Sequence, residues 1–211
     1  MTTPDPGPFT RPGITFRETM SGPFALGETD PERGRATGAR NEETLFLHAT
    51  IHIPDLARFE ADPEHAGTIE GEVAFEPLGG AYPARGGRFS LFSPTDEPRL
   101  RRMVYEVAFE ADGEPYYLAG HKDVRDDPGF DLWADTTTLY ARLHRGADAG
   151  GAVVGAGVLR LGVDDLARLV STMRATGTGS AGDGVGAVAT FGRFFLGALW
   201  ERYAALAPRH A

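Results

Sequence analysis

YYLAGHKDVRDDPGFDLWADTTTLYARLH, residues 116–144, reads as two strands joined by an acidic Pro-Gly connection, Asp126-Asp127-Pro128-Gly129. In the second strand Thr137, Leu139, Ala141 and Leu143 fall on one face, and Thr136, Thr138, Tyr140, Arg142 and His144 on the other. That period of two marks a strand with one buried side. Phe130, Leu132 and Trp133, between the strands, are too apolar for a solvated loop and are expected to plug one end of a sheet. The polar face of the pair gathers His121, Asp123, Arg142 and His144, the densest group of titratable side chains on regular structure.

The same alternation recurs along the chain. Ile14, Phe16, Glu18 and Met20 oppose Thr15, Arg17 and Thr19 in a first strand. Thr44–Ile53 is a second, and Thr68–Glu76 alternates most cleanly, with Ile69, Gly71, Val73 and Phe75 inward. Arg88–Phe92 follows the Gly79-Gly80 and Gly86-Gly87 turns, and Arg102–Glu110 carries Met103, Tyr105, Val107 and Phe109 inward. Ala111-Asp112-Gly113-Glu114 makes a hairpin turn, since Asp-Gly tolerates positive φ. Gly151–Val163 is apolar on both faces, as a strand buried on two sides would be. Three helices are expected: a short one after Pro54-Asp55, one from Asp164 to Met173, and a long one over residues 185–206. Residues 27–43 show no periodicity and read as a long loop.

The expected architecture is therefore mainly β: an antiparallel barrel of lipocalin-like kind, or a two-sheet sandwich, of about eight or nine strands with a long C-terminal helix. Residues 1–13 read as a loose arm, 14–175 as the β domain, 176–184 as a Gly/Ser linker and 185–211 as the helix that packs on it.

Composition narrows the function. A net charge of −9 argues against nucleic acid, whose binding depends on clustered Lys and Arg. Lys122 is the single lysine. The absence of cysteine excludes disulfides, thiolate metal sites and a Cys nucleophile. No basic-then-apolar leader and no uncharged apolar run of about 18 residues is present, so a cytoplasmic protein without a membrane span is expected.

The chemical motifs are few. Val153-Val154-Gly155-Ala156-Gly157 imitates a dinucleotide fingerprint, but Arg160 stands where its third glycine belongs and no βαβ unit precedes it. Asp126, Asp127, Asp131 and Asp135 lack the calcium-loop spacing, and no Gly-x-Ser-x-Gly elbow occurs. His48 and His52 on one strand face sit about 13 Å apart, too far to share one ion. No cofactor and no metal site are expected. His121, Asp123 and Glu106 form a candidate acid/base set, with Tyr117 as a donor to a developing oxyanion. Trp133, Tyr140, Arg142 and His144 are the candidate ligand-binding residues. The competing account of His121, Asp123, Glu106 and Tyr117 is a solvated strand face whose charges keep the sheet soluble.

The run His121–Tyr140, together with Phe89-Ser90-Leu91-Phe92, Gly155-Ala156-Gly157-Val158-Leu159-Arg160 and Phe191-Gly192-Arg193-Phe194-Phe195-Leu196-Gly197, resembles an accessory region of some large bacterial proteins. Those proteins carry a glucose–methanol–choline type flavin oxidoreductase, similar to cholesterol oxidase, sometimes with an α/β-hydrolase part. The resemblance covers most of the chain from Ile14 onward and brings no catalytic residues with it. The flavin fingerprint and the hydrolase elbow are both missing, so the chain resembles the accessory part standing alone. It implies binding of an apolar small molecule, sterol- or polyketide-like, or support of a flavin oxidoreductase acting on one. The alternative is a stand-alone isomerase or cyclase working by acid/base catalysis in a barrel pocket.

Overall fold

The computed structural model describes residues 11–125 and 137–196. In chain order these form β1 (Gly13–Leu26), α1 (Pro31–Asn41), β2 (Thr44–Ile53), α2 (Leu56–Ala61), β3 (Ala66–Phe75), a single 3-10 turn (Glu76–Leu78), β4 (Gly80–Pro94), β5 (Leu100–Ala111), β6 (Glu114–Arg125), β7 (Thr138–Arg145), β8 (Ala152–Arg160), α3 (Val163–Thr172), β9 (Arg174–Thr176) and α4 (Ala181–Leu196). The strands neighbour one another in the order β2-β3-β4-β5-β6-β7-β8-β1-β9, and β1 pairs back onto β2. Eight antiparallel strands thus close into a barrel, and closure removes the edges along which an open sheet would aggregate. The architecture is a barrel, not a sandwich.

β1 is the closing stave. It pairs with β2 from Ile14 to Pro23, with β8 from Ser21 to Leu26, and with β9 from Gly13 to Thr15. Between the β9 and β8 ladders its outer edge meets α3 instead of a strand. There the Thr172 hydroxyl accepts from the Arg17 N–H at 2.9 Å and contacts the Arg17 carbonyl at 3.2 Å, so this stretch of edge is not left bare.

The alternation read from the sequence is the inside–outside alternation of the barrel. Phe16, Leu47, Val73, Phe89, Val107 and Leu139 are all buried, at 1% exposure or less. At the hairpin between β5 and β6, Asp112 (φ 52°) and Gly113 (φ 81°) both take positive φ, the pair of angles a tight two-residue hairpin needs. β8 is covered on its outer face by α1. A side chain on Gly34 of that helix would run into the Ala156 carbonyl of the strand, which is why helix and sheet approach so closely.

Four expectations need correction. Residues 27–43 are not a loop: α1 occupies Pro31–Asn41, started by the Asp30 side chain, which accepts from the Arg33 N–H. Its buried face is Pro31, Gly34 and Gly38, too small to show as apolar periodicity. Gly86-Gly87 is not a turn but lies within β4 at a bulge, where the pairing with β5 shifts between Arg85 and Arg88. The helix expected from Asp164 to Met173 runs instead from Val163 to Thr172, with Gly162 at its cap position. The C-terminal helix begins at Ala181 rather than Val185.

Candidate functional site

Among the described residues, Glu18, Lys122 and Tyr105 meet inside the barrel. The alternation of β1 points Glu18 inward with Phe16 and Met20, and that of β6 points Lys122 inward with Leu118 and Val124. Tyr105 of β5 pairs across the ladder with Gly120, which makes it a diagonal neighbour of Lys122. The Lys122 Nζ donates to the Tyr105 hydroxyl at 3.2 Å and lies 4.5 Å from that ring's centroid. It stops 4.0 Å from Glu18 Oε2. Lys122 is 1% exposed and Glu18 4%.

Neither carboxylate oxygen of Glu18 accepts a hydrogen bond within the described structure. Tyr105 lies close enough to Glu18 for the carboxylate to act on its phenol, but no bond of good geometry reaches the oxygens. Burial pushes the Glu18 carboxyl up, and the Lys122 charge and then the nearby Tyr105 phenol oppose this only in part. Burial pushes the Lys122 ammonium down, against the pull of Glu18. Tyr105 is driven well above the ordinary phenol range by burial first and by Glu18 second. An acid held up and an amine held down, side by side out of water, are a matched donor and acceptor of protons.

The β6–β7 ladder ends at His121 and Tyr140, and the β1–β8 ladder ends at Ser21 and Arg160. Lys122 and Glu18 lie just beyond those ends. An aromatic column leads down to them from α4. Phe191 and Phe195 pack on Phe16 at 5.5 and 6.0 Å, Phe16 meets Phe89 edge-on at 6.2 Å, and Phe89 meets Tyr105 at 5.2 Å.

The described residues among those singled out from the sequence lie on the outer face of the barrel, where they divide into groups. His121, Asp123, Tyr140 and Arg142 come together in a depression of roughly 270 Å³, walled by Asp30, Pro31 and Glu32 at the start of α1. His121 Nε2 is 4.0 Å from Asp123 Oδ2, and Arg102 donates to the same carboxylate at 2.9 Å. Partial burial lowers the His121 pKa, helped by Arg102 and Arg142 and opposed by Asp123. Arg142 is also tied to the Thr29 carbonyl at 3.1 Å. Glu106 and Tyr117 form a separate pair, the phenol donating to the carboxylate at 3.0 Å, which with burial pushes Tyr117 up to about 12. His144 is buried with Nδ1 at 2.9 Å from the Gly151 carbonyl, a structural contact. Trp133, the Asp126–Gly129 connection, Phe130 and Leu132 lie outside the described residues.

A second outer groove, of roughly 490 Å³, runs over β1, β2 and β3 beside Thr172 and Arg174. In it His52 Nδ1 meets Thr15 Oγ1 at 3.2 Å, and Nε2 meets Glu70 at 3.3 Å. His48 pairs separately with Thr19. Among the described residues no cluster of three or more His, Asp or Glu could hold a metal ion. No helix among them is long and apolar enough to cross a membrane.

The buried trio escaped the reading of the sequence, although its signals were there. Glu18 interrupts an apolar face, and Lys122 is the lone lysine on the apolar face of its strand. No protein-family model, no curated protein and no solved structure matches the chain.

Proposed function

We propose that the barrel takes up an apolar small molecule carrying one oxygen function, and that Glu18, Lys122 and Tyr105 hold that oxygen in the interior. The observation that carries this reading is the buried Glu18 carboxylate without a hydrogen-bond partner. Burying an ion pair costs several kcal/mol per ion, and well-packed apolar residues in its place are often as stable or more so. The unsatisfied oxygens of the Glu18 carboxylate within the pair add to that cost. The barrel thus bears an expense that the fold does not require. A ligand hydroxyl donating to Glu18, or a carbonyl accepting from Lys122 or Tyr105, offsets it. Aromatic walls with a few convergent polar groups are the usual character of small-molecule sites. The sterol- or polyketide-like ligand class, and a role beside a flavin oxidoreductase, draw their support from the sequence resemblance.

Thermal unfolding in the presence of dodecan-1-ol, a sterol and dodecane tests the proposal. The alcohols are expected to raise Tm and the hydrocarbon to do so less, with the difference erased in Glu18→Gln. No shift with any of them, alone or together with a flavin oxidoreductase, overturns it.

A second reading, proton-transfer catalysis by an isomerase or cyclase, is favoured by the opposed displacements of Glu18 and Lys122. Solvent-deuterium incorporation into an added enolisable ketone, lost in Glu18→Gln, is its test.

A further inference from the structure

We infer that Lys122 captures the carbonyl carbon of an apolar aldehyde or ketone as a Schiff base inside the barrel, with Glu18 as proton carrier and counter-ion and Tyr105 positioning the amine. This rests on the ligand-binding reading above and narrows its ligand class to carbonyl compounds.

Three features of the site point the same way. The first is the identity of the cation. The chain holds 21 Lys and Arg residues, and the one lysine is the one placed in the barrel interior. Arginine stays protonated in proteins and lysine does not, so lysine alone can present a free amine there. The second is spacing. A charge-assisted hydrogen bond closes to about 2.7–2.9 Å. Nζ and Oε2 instead stand 4.0 Å apart, both buried, with neither carboxylate oxygen bonded. A carbonyl entering there would turn its carbon toward Nζ and its oxygen toward the carboxyl. The third is orientation. The hydrogen bond to the Tyr105 hydroxyl fixes the end of an otherwise flexible side chain. Burial in turn favours the uncharged amine and the uncharged carboxyl, the forms with which the reaction begins.

The steps balance without another reactant. The Lys122 ammonium gives one proton to Glu18, leaving an amine and a carboxylic acid. The nitrogen lone pair forms the N–C bond as the C=O π pair moves to oxygen, which takes the proton from Glu18. The nitrogen of this carbinolamine then returns one proton to Glu18. Glu18 passes it to the hydroxyl, which leaves as water while the nitrogen lone pair closes the C=N bond. The product is a protonated imine beside the Glu18 carboxylate, with one water released and the net charge unchanged.

The uniqueness of the lysine makes the test direct. The full chain is incubated with dodecanal and sodium cyanoborohydride, and the products are followed by intact mass and peptide mapping. One reduced alkyl adduct on Lys122 is expected, suppressed several-fold by excess dodecan-1-ol. It should be absent from that position in Lys122→Arg and form roughly 10²-fold more slowly in the near-isosteric Glu18→Gln. The wild-type result stands even if the arginine variant fails to fold. An adduct confined to the α-amino group, while dodecan-1-ol still raises Tm, overturns the covalent step and leaves the ligand-binding reading standing. If neither dodecanal nor dodecan-1-ol shifts Tm and Lys122 stays unmodified, both fall.

Discussion

Lys122 Nζ lies 4.0 Å from the Glu18 carboxylate and gives its hydrogen bond to the Tyr105 hydroxyl instead. The two opposite charges of the barrel interior are therefore neighbours without being bonded. Replacing both by apolar residues, Glu18→Leu with Lys122→Met, is expected to leave stability unchanged or raise it by about 1–4 kcal/mol. Lys122→Met alone strands the carboxylate and is expected to cost about 3–5 kcal/mol near neutral pH. Urea unfolding of the two variants beside wild type checks both statements. A double variant less stable than the single one would show that the pair supports the fold.

Tyr117 responds at the alkaline end. Its phenol is raised from the ordinary value of 10.0 to about 12 by burial and by Glu106. A raised group stabilises the fold fully below its unfolded pKa, and the contribution is lost as pH rises through the folded one. The stability that Tyr117 adds should thus fade between pH 10 and about 12. Phenolate absorbance of wild type against Tyr117→Phe identifies the late-titrating group, and Glu106→Gln should bring it down.

His121 behaves in the opposite sense. Burial, with Arg102 and Arg142, lowers its pKa below 6.5. A lowered histidine contributes stability above its unfolded pKa that is lost as pH falls through the folded one. Asp123 is the group that opposes the lowering, so Asp123→Asn should move the His121 titration further toward acid. Imidazole proton shifts followed by NMR against pH give the direction directly.

Thr172 bridges the Arg17 N–H and carbonyl where β1 has no strand partner on that side. Thr172→Val keeps the shape and removes both contacts. A loss of about 0.5–1.5 kcal/mol is expected, since water can reach this edge. Amide exchange at Arg17 should rise more than at Phe16 or Phe24, a local signature that separates it from general destabilisation.

Gly34→Ala probes the seat of α1. The added methyl meets the Ala156 carbonyl, so helix and strand must part, at a cost of about 1–3 kcal/mol despite alanine's better helix propensity. The same exchange at Gly113, where no atom lies within 4 Å, meets no clash and is opposed only by its positive φ. Chemical denaturation of the two variants separates packing from backbone strain.

Period-two alternation made the barrel legible, because a closed sheet sorts side chains by parity and the turn at Asp112-Gly113 follows from two positive φ angles. α1 was illegible for an equally physical reason. It is seated by glycines, which leave no apolar stripe to read. The Gly86-Gly87 bulge looked like a turn because both use glycine's access to positive φ. Of the polar group His121, Asp123, Arg142 and His144 read from shared strand faces, the first three converge, together with Tyr140, whereas His144 turns to the Gly151 carbonyl. The interior trio required knowing that the strand carrying Glu18 lies opposite the strand carrying Lys122. Parity places each residue inside but does not say which strand lies across from which.

The ring is sealed by Ser21 of β1 opposite Arg160 of β8, a contact between early and late parts of the chain. Until β8 has been made and brought back, the first strand has only β2 as a strand partner. Refolding from urea should accordingly be slow for a chain of this size, in the millisecond-to-second range or longer, with the circle closing late. A circular permutant cut between β1 and β2 would exchange one distant pairing for another: β8 and β1 come nearer along the chain, while the β1–β2 ladder becomes the one that closes late.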